Sequence, residues 1–147
     1  MIKTIYSITI AVEDLDEAVK SYEAFLGVKP TFSSGYEVLF TESSLKEIGI
    51  DFKDKIAVFL LPGIRFILIS GFDKNTLVGR FIRHKGEGVF MISMEVENIE
   101  KEAKRLQSHG KKLILAENIE STFGTSNIIH PNSMNGVLFE IIQTSSG

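Results

Sequence analysis

The chain has no cysteine among its 147 residues, which excludes disulfides, thiolate catalysis and cysteine-based metal sites. It has no apolar run close to the roughly 20 residues that a membrane helix needs. Its first residues alternate like a strand and lack the layout of a signal peptide. The chain also has no excess of positive charge, since its net charge is -3. A nucleic-acid partner would require a basic surface. We therefore expect a cytoplasmic protein that binds neither membranes nor nucleic acid.

What the chain does contain is a repeat. Residues 7–15 read Ser-Ile-Thr-Ile-Ala-Val-Glu-Asp-Leu, and residues 91–99 read Met-Ile-Ser-Met-Glu-Val-Glu-Asn-Ile. An offset of 84 positions (91 minus 7) aligns the two copies. Each copy predicts a strand that runs into a helix, capped by Asp14 in the first copy and by Asn98 in the second. A repeated unit indicates two similar halves that face each other, with the functional site where they meet.

Each half is predicted to contain a strand, a helix and three further strands. In the first half we predict strands at 5–12, 36–40, 56–61 and 64–70, a helix from residue 15 to Gly27 and a helical turn at 43–48. In the second half we predict strands at 89–96, 112–115, 127–129 and 136–143, a helix after Asn98 and a polar loop at 117–125. We divide the chain into a first module at 1–72, a linker helix at 73–88 and a second module at 89–147.

Two segments carry a resemblance to a known family. They are residues 86–99 and residues 130–143, which read His-Pro-Asn-Ser-Met-Asn-Gly-Val-Leu-Phe-Glu-Ile-Ile-Gln. Both resemble the vicinal-oxygen-chelate superfamily, the glyoxalase, bleomycin-resistance and extradiol-dioxygenase group, and most of all its methylmalonyl-CoA epimerase branch. Residues 7–27 are similar to that family's opening strand and helix, whereas residues 31–55 match least. The resemblance implies an α+β fold of two tandem βαβββ modules, whose mixed sheet curls into a cup with an open cavity.

The resemblance also implies a divalent metal site. The family's epimerases bind the metal through one residue on the first strand of each module and one on a later strand of each. The usual set is two His, one Gln or Glu, and one Glu. The corresponding positions here hold Ser7, Ile67, Met91 and Glu140. A hydroxyl, an alkyl group and a thioether cannot replace such ligands around a hard or borderline cation, so we predict that the metal site is lost and that no cofactor is needed.

Strand alternation predicts which side chains line the cup. The predicted lining consists of Ile5, Ser7, Thr9, Ala11, Arg65, Ile67, Ile69, Val89, Met91, Ser93, Glu95, Leu138, Glu140 and Ile142. Among these we predict the substrate contacts to be Ser7, Thr9, Arg65, Ile67, Met91, Ser93 and Glu95. A concave, mostly apolar pocket with a few polar groups is typical of a small-molecule site.

Glu140 is the predicted catalytic residue. Without a cation beside it, a carboxylate that faces an apolar cup should have a raised pKa, because desolvation disfavours the charged form. Such a group suits the transfer of a proton next to a carbonyl. The alternative is that Glu140 is an inherited residue, paired with Arg65 or with a hydroxyl in a structural contact.

Three functions remain open. The first is an isomerase, epimerase or cyclase that acts on a small acyl or carbonyl compound by metal-independent proton transfer through Glu140. The second is a non-catalytic protein that binds or sequesters a small molecule, as in the bleomycin-resistance branch, and the apolar residues Ile67 and Met91 favour it. The third is a non-catalytic partner or regulatory subunit. We expect a homodimer whose main partner is a small-molecule ligand.

Overall fold

A computed structural model describes residues 1–35, 55–71, 74–120 and 123–145 of the chain. The first half contains β1 (Ile2–Ala11), α1 (Leu15–Leu26), β2 (Phe32–Gly35), β3 (Lys55–Leu61) and β4 (Ile64–Ser70). Helix α2 (Leu77–Lys85) follows. The second half contains β5 (Gly88–Val96), α3 (Ile99–Ser108), β6 (Ile119–Glu120), β7 (Gly124–Ile129) and β8 (Phe139–Thr144). The predicted strand at 36–40 and the predicted turn at 43–48 lie outside the described residues.

The described strands form one mixed sheet in the order β2-β3-β4-β1-β5-β8-β7-β6, which curls into a half-barrel. Strand β1 runs parallel to β4 and β5 parallel to β8, while β1 and β5 are antiparallel neighbours at the centre. An approximate two-fold axis therefore relates the halves. It passes near Ile8 and Ile92, which are register partners and also equivalent residues of the repeat. The predicted α+β fold of two βαβββ modules is confirmed.

Helices α1 and α3 pack on the outer face of the sheet. The Asp14 carboxylate caps α1 by accepting a 3.1 Å hydrogen bond from the Glu17 amide, and Asn98 caps α3 through a 3.0 Å bond from the Lys101 amide. Helix α1 covers a cluster that includes Phe59, and α3 covers a second cluster on the strands of the other half. In the described part of the chain, no helix is long and apolar enough to cross a membrane.

Helix α2, predicted only as a linker, packs on the opposite, concave face. Its Val78 side chain is fully buried, and the Phe81 ring meets the Phe90 ring of β5 edge-to-face, with the centroids 5.3 Å apart. Each such side chain contributes roughly 2 kcal/mol through the apolar surface that it removes from water. The helix therefore covers part of the cup with apolar side chains.

A β-bulge occurs at an equivalent position in each central strand. One register shift follows Ile5 and leaves Tyr6 as the extra residue of β1, and a second leaves Phe90 as the extra residue of β5. A bulge interrupts the alternation of a strand and re-aims side chains. Two predicted lining residues are corrected for this reason: Ile5 is 40% exposed and Val89 is 51% exposed, while Tyr6 and Phe90 are buried.

The predicted strand at 112–115 does not form. Leu113 makes an isolated bridge to Ile129, but the N–H and the C=O of Leu115 both bond to the side-chain amide of Asn127 at 3.2 Å. The Asn127 side chain also donates to Asn118 at 2.9 Å. This amide therefore occupies the backbone groups that a strand at 112–115 would use to pair with β7. The edge of the sheet is formed instead by β6, which lies within the segment predicted as a polar loop. Strand β7 also begins earlier, and β8 later, than predicted.

Candidate active site

One row of side chains crosses four strands of the concave face. Cross-strand pairing places Arg65 beside Ser7, Ser7 beside Ser93, and Ser93 beside Glu140. Residues directly opposite each other on neighbouring strands project to the same side of a sheet, so we call these four residues the polar row. Ser7 and Ser93 are buried in its middle. Arg65 and Glu140 are half-buried at its ends.

The approximate two-fold axis relates the polar row to a second row of opposite character. Thr9 pairs with Met91 on one side and with Ile67 on the other, as Ser93 pairs with Ser7 and Glu140. We call this second set the apolar row; its members are Ile67, Thr9, Met91 and Leu138. Met91, Ile67 and Leu138 belong to the hydrophobic cluster that includes Val78 of α2. The polar chemistry is therefore concentrated in one of two equivalent rows, and α2 packs against the other.

Glu140 is held by two serine hydroxyls. The Ser93 hydroxyl donates a 2.5 Å hydrogen bond to its Oε1 atom, and the Ser126 side chain of β7 donates a second. Burial raises the pKa of the Glu140 carboxyl above its ordinary value of 4.5, and the two hydroxyls only partly oppose this effect. The sequence left two partners open for a structural contact of Glu140, Arg65 or a hydroxyl. The serine hydroxyls are the groups that bond to it.

Tyr6 joins the site although strand alternation left it out of the predicted lining. The Arg65 guanidinium carbon lies 4.0 Å from the centroid of the Tyr6 ring, and the Phe123 ring approaches it edge-on at 6.3 Å between centroids. Burial raises the pKa of the Tyr6 hydroxyl above 10.0; the charge of Arg65 opposes the rise, whereas the charges of Glu95 and Glu140 add to it. Tyr6 therefore keeps its proton at neutral pH and can donate a hydrogen bond.

Of two further predicted contacts, Glu95 lies beside the rows and Thr9 lies within the apolar row. The Oε2 atom of Glu95 accepts a 2.9 Å hydrogen bond from the Thr144 hydroxyl and lies 3.9 Å from the Lys3 ammonium. Glu95 is thus engaged at the rim of the concave face. The Thr9 hydroxyl is buried and has no hydrogen-bond partner in the described part of the chain. Its equivalent, Ser93, bonds to Glu140, but Thr9 faces the alkyl side chain of Ile67.

The four positions that correspond to metal ligands of the family do not offer a suitable donor set. Ser7 and Met91 are related by the approximate two-fold axis, as are Ile67 and Glu140, which agrees with the arrangement that the resemblance implies. Only Glu140 supplies a carboxylate, however, and the alkyl and thioether groups do not suit a hard or borderline divalent cation. Within residues 1–35, 55–71, 74–120 and 123–145, no group of three or more His, Asp or Glu side chains could hold a metal ion. The histidines lie elsewhere, at His84, His109 and His130.

Among the described residues, a pair of surface pockets lies away from the polar row, and neither was predicted from the sequence. One, of about 780 Å³, lies between α3 and the β6–β7 edge and is lined by polar side chains that include Lys104 and Glu117. The other, of about 330 Å³, lies between the end of β1 and α2, beside Lys74 and Arg83. Neither pocket is lined by a residue of the polar row.

The model of the Glyoxalase/Bleomycin resistance protein/Dioxygenase superfamily matches residues 7–128 of the chain. No sequence of a curated protein matches it.

Methylmalonyl-CoA epimerase from Mycobacterium tuberculosis superposes with a TM-score of 0.80 at 23% identity, over 98% of this chain and 89% of that chain. A variant of the Streptomyces coelicolor enzyme, in complex with 2-nitronate-propionyl-CoA, gives a TM-score of 0.81 at 22% identity, over 99% and 97% of the two chains. A hypothetical protein from Bacillus halodurans gives 0.77 at 22% identity, over 97% and 95%. At these identities the solved structures show a shared fold, and the match to the family model shows common ancestry. This protein belongs to the glyoxalase, bleomycin resistance protein and dioxygenase superfamily.

Proposed function

We propose that this protein moves a proton at the carbon next to the carbonyl of a small acyl compound, in a reaction of the isomerase, epimerase or cyclase type that needs no metal. The setting of Glu140 is the observation that supports the proposal most. Its carboxyl is desolvated, its pKa is raised and it ends a row of polar side chains on the concave face. A general base is most effective when its pKa lies near the working pH.

The proposed step is a simple proton transfer. The Glu140 carboxylate takes the proton from the carbon beside the carbonyl, and the electron pair of the C–H bond moves into the carbonyl to form an enolate. A proton then returns to the same carbon, either from the protonated Glu140 or, on the opposite face, from a water molecule, in which case the resulting hydroxide takes the proton that Glu140 holds. A neutral Tyr6 hydroxyl, which its raised pKa preserves at neutral pH, is available as a donor to the enolate oxygen.

An acyl-CoA thioester is the proposed substrate class. The Streptomyces coelicolor relative was solved with 2-nitronate-propionyl-CoA, and a thioester acidifies the neighbouring carbon enough for a carboxylate base. The donor set at Ser7, Ile67 and Met91 does not suit a metal, so the proposed chemistry depends on the serine hydroxyls, Tyr6 and Glu140.

Solvent deuterium exchange tests the proposal. Chelator-treated protein is incubated in D2O with propionyl-CoA, methylmalonyl-CoA and glutaryl-CoA, and deuterium at the carbon next to the thioester is measured by mass spectrometry. We expect exchange with at least one of these compounds, reduced about 100-fold or more in Glu140→Gln, which is the usual size of a general-base effect. Glu97→Gln, which changes an exposed carboxylate at the end of β5, is the matched control and should exchange at the wild-type rate. Equal rates in Glu140→Gln and the wild type would contradict the proposal.

A second candidate is a protein that binds a small molecule without reaction. It is favoured by the alkyl and thioether side chains of Ile67 and Met91 in two positions where the family keeps metal ligands. In that case a bound compound raises the melting temperature of the protein by mass action, while no exchange occurs with any acyl compound. The predicted homodimer, the cytoplasmic location and the module boundaries at residues 72 and 89 stay predictions.

A further inference from the structure

Arg65 stands at the end of the polar row opposite Glu140. Its guanidinium carbon lies over the Tyr6 ring, 4.0 Å from the ring centroid, which is within the range of a cation–π contact. The Tyr6 ring is itself fixed, because it is buried and Phe123 contacts its edge. Stacking on an aromatic face leaves the N–H donors at the rim of a guanidinium group free to bond in its plane.

Those donors have no acceptor within the described part of the chain. In that part of the chain the Arg65 side chain packs on the Tyr6 ring. The neighbouring carboxylate, Glu95, is already bonded to Thr144 at 2.9 Å and lies 3.9 Å from Lys3. A half-buried guanidinium group that lacks a carboxylate or carbonyl partner can bind an anion, since its forked donors match a carboxylate.

The distance along the polar row indicates where that anion would belong on a substrate. Arg65 and Glu140 are separated by the strand pairs β4–β1, β1–β5 and β5–β8, which is about 14 Å between α-carbons at the usual strand spacing. A carboxylate attached directly to the carbon that Glu140 deprotonates stays at the Glu140 end of the row. A carboxylate at the far end of an acyl chain lies several bonds further from Glu140, on the side of Arg65.

We propose that Arg65 is a specificity residue that binds a carboxylate at the distal end of the acyl chain of the substrate. The substrate class is therefore an acyl thioester of a short dicarboxylic acid, held between Arg65 and Glu140, with the hydroxyls of Ser7 and Ser93 between them. This proposal rests on the proposed function only for the orientation of the chain. Recognition of the carboxylate by Arg65 does not require that any reaction takes place.

Binding of matched acyl-CoA pairs tests the proposal. Glutaryl-CoA and pentanoyl-CoA have the same chain length and the same CoA group but differ in the distal carboxylate. By isothermal titration calorimetry the wild type should bind glutaryl-CoA at least 10-fold more tightly than pentanoyl-CoA. In Arg65→Met this preference should disappear while the affinity for pentanoyl-CoA is unchanged, and Arg65→Lys should retain part of it. Methylmalonyl-CoA, whose carboxylate is on the reacting carbon, should bind Arg65→Met as it binds the wild type.

The variants separate recognition from a structural role of Arg65. Tyr6→Phe keeps the aromatic face and should keep the preference for glutaryl-CoA, whereas Tyr6→Leu removes the face and should weaken it. The same titrations on Glu140→Gln should give the wild-type preference. If the wild type prefers glutaryl-CoA but shows no deuterium exchange, the proposed reaction alone is refuted. The proposal for Arg65 is refuted if the wild type shows no preference, if it binds neither compound, or if Arg65→Met retains the preference.

Discussion

Thr9 and Ser93 occupy equivalent positions on the two central strands, but among the described residues only Ser93 has a hydrogen-bond partner across the sheet. Ser93 pairs with Glu140 and donates to it at 2.5 Å, whereas Thr9 pairs with Ile67 and its buried hydroxyl is without a partner in the described residues. The difference follows from a single exchange of a carboxylate for an alkyl group at the equivalent position. The backbones of the two halves are therefore still equivalent at these positions, whereas their side chains are not.

Replacement of Thr9 by valine should leave the protein as stable as the wild type or stabilise it by up to about 1 kcal/mol. A buried hydroxyl without a partner costs about 1–3 kcal/mol, and valine fills the same volume without a polar atom. Ser93→Ala should instead destabilise the protein by roughly 1–2 kcal/mol, because it removes a hydrogen bond to a carboxyl group. Urea denaturation of both variants measures the difference, and a larger loss in Thr9→Val than in Ser93→Ala would contradict the pairing described above.

The stability of the protein should depend on pH through Glu140. Its folded pKa lies above the ordinary value of 4.5, so the protonated form favours the fold. This contribution is complete below the unfolded pKa and is lost as the pH rises through the raised folded pKa. The free energy of unfolding of Glu140→Gln, relative to the wild type, should therefore increase between about pH 4 and pH 8. Urea titrations across this range test the slope, with Thr9→Val as a baseline that adds no titrating group. A difference that stays constant or falls with pH contradicts the raised pKa.

Gly124 should not tolerate a side chain at the start of β7. Its φ is +148°, and a Cβ atom there would clash with the Gln143 carbonyl oxygen and lie 2.9 Å from the Thr144 α-carbon of β8. Gly124→Ala should therefore cost roughly 3 kcal/mol or more, because the backbone of β8 must move. Gly88→Ala is a matched control with a similar φ of +158° and nothing within 4 Å of the new atom, and it should cost about 1 kcal/mol. Thermal unfolding compares the two, and equal losses would show that close approach to β8 is not the cause.

The repeat is the reason that two similar halves could be predicted from the sequence, and the family resemblance then implied how their sheets join. The offset that pairs Ile8 with Ile92 holds in the structure as the register of the two central strands. Alternation also placed Ser7, Ser93 and Glu140 on one face correctly. These predictions succeed because the side-chain period of a strand is local and regular.

The bulges could not be predicted in the same way. An extra residue in one strand is defined by its pairing with another strand, and the period within β1 alone does not reveal it. Tyr6 was therefore left out of the predicted lining and missed as a site residue. The available signal was the repeat itself, which aligns two aromatic residues, Tyr6 and Phe90, immediately before Ser7 and Met91.

Two other features depend on tertiary contacts. Helical spacing predicts α2, but nothing in that spacing determines that Phe81 packs on the concave face. Likewise, residues 112–115 have the composition of a strand, and only the three-dimensional position of Asn127 explains why its amide takes both backbone groups of Leu115. Side-chain competition for backbone hydrogen bonds is a known reason for such local failures.

The dependence of proton exchange on added metal tests the metal-free mechanism most directly. Deuterium exchange into the acyl-CoA substrate is measured for chelator-treated protein before and after addition of Co²⁺, Mn²⁺, Ni²⁺ or Zn²⁺, and the bound metal is quantified by mass spectrometry. We predict full exchange in the chelated protein, no increase with any of these ions and no stoichiometric metal. Exchange that occurs only after one metal ion binds per chain, with that ion lost in Glu140→Gln, would contradict the metal-free mechanism.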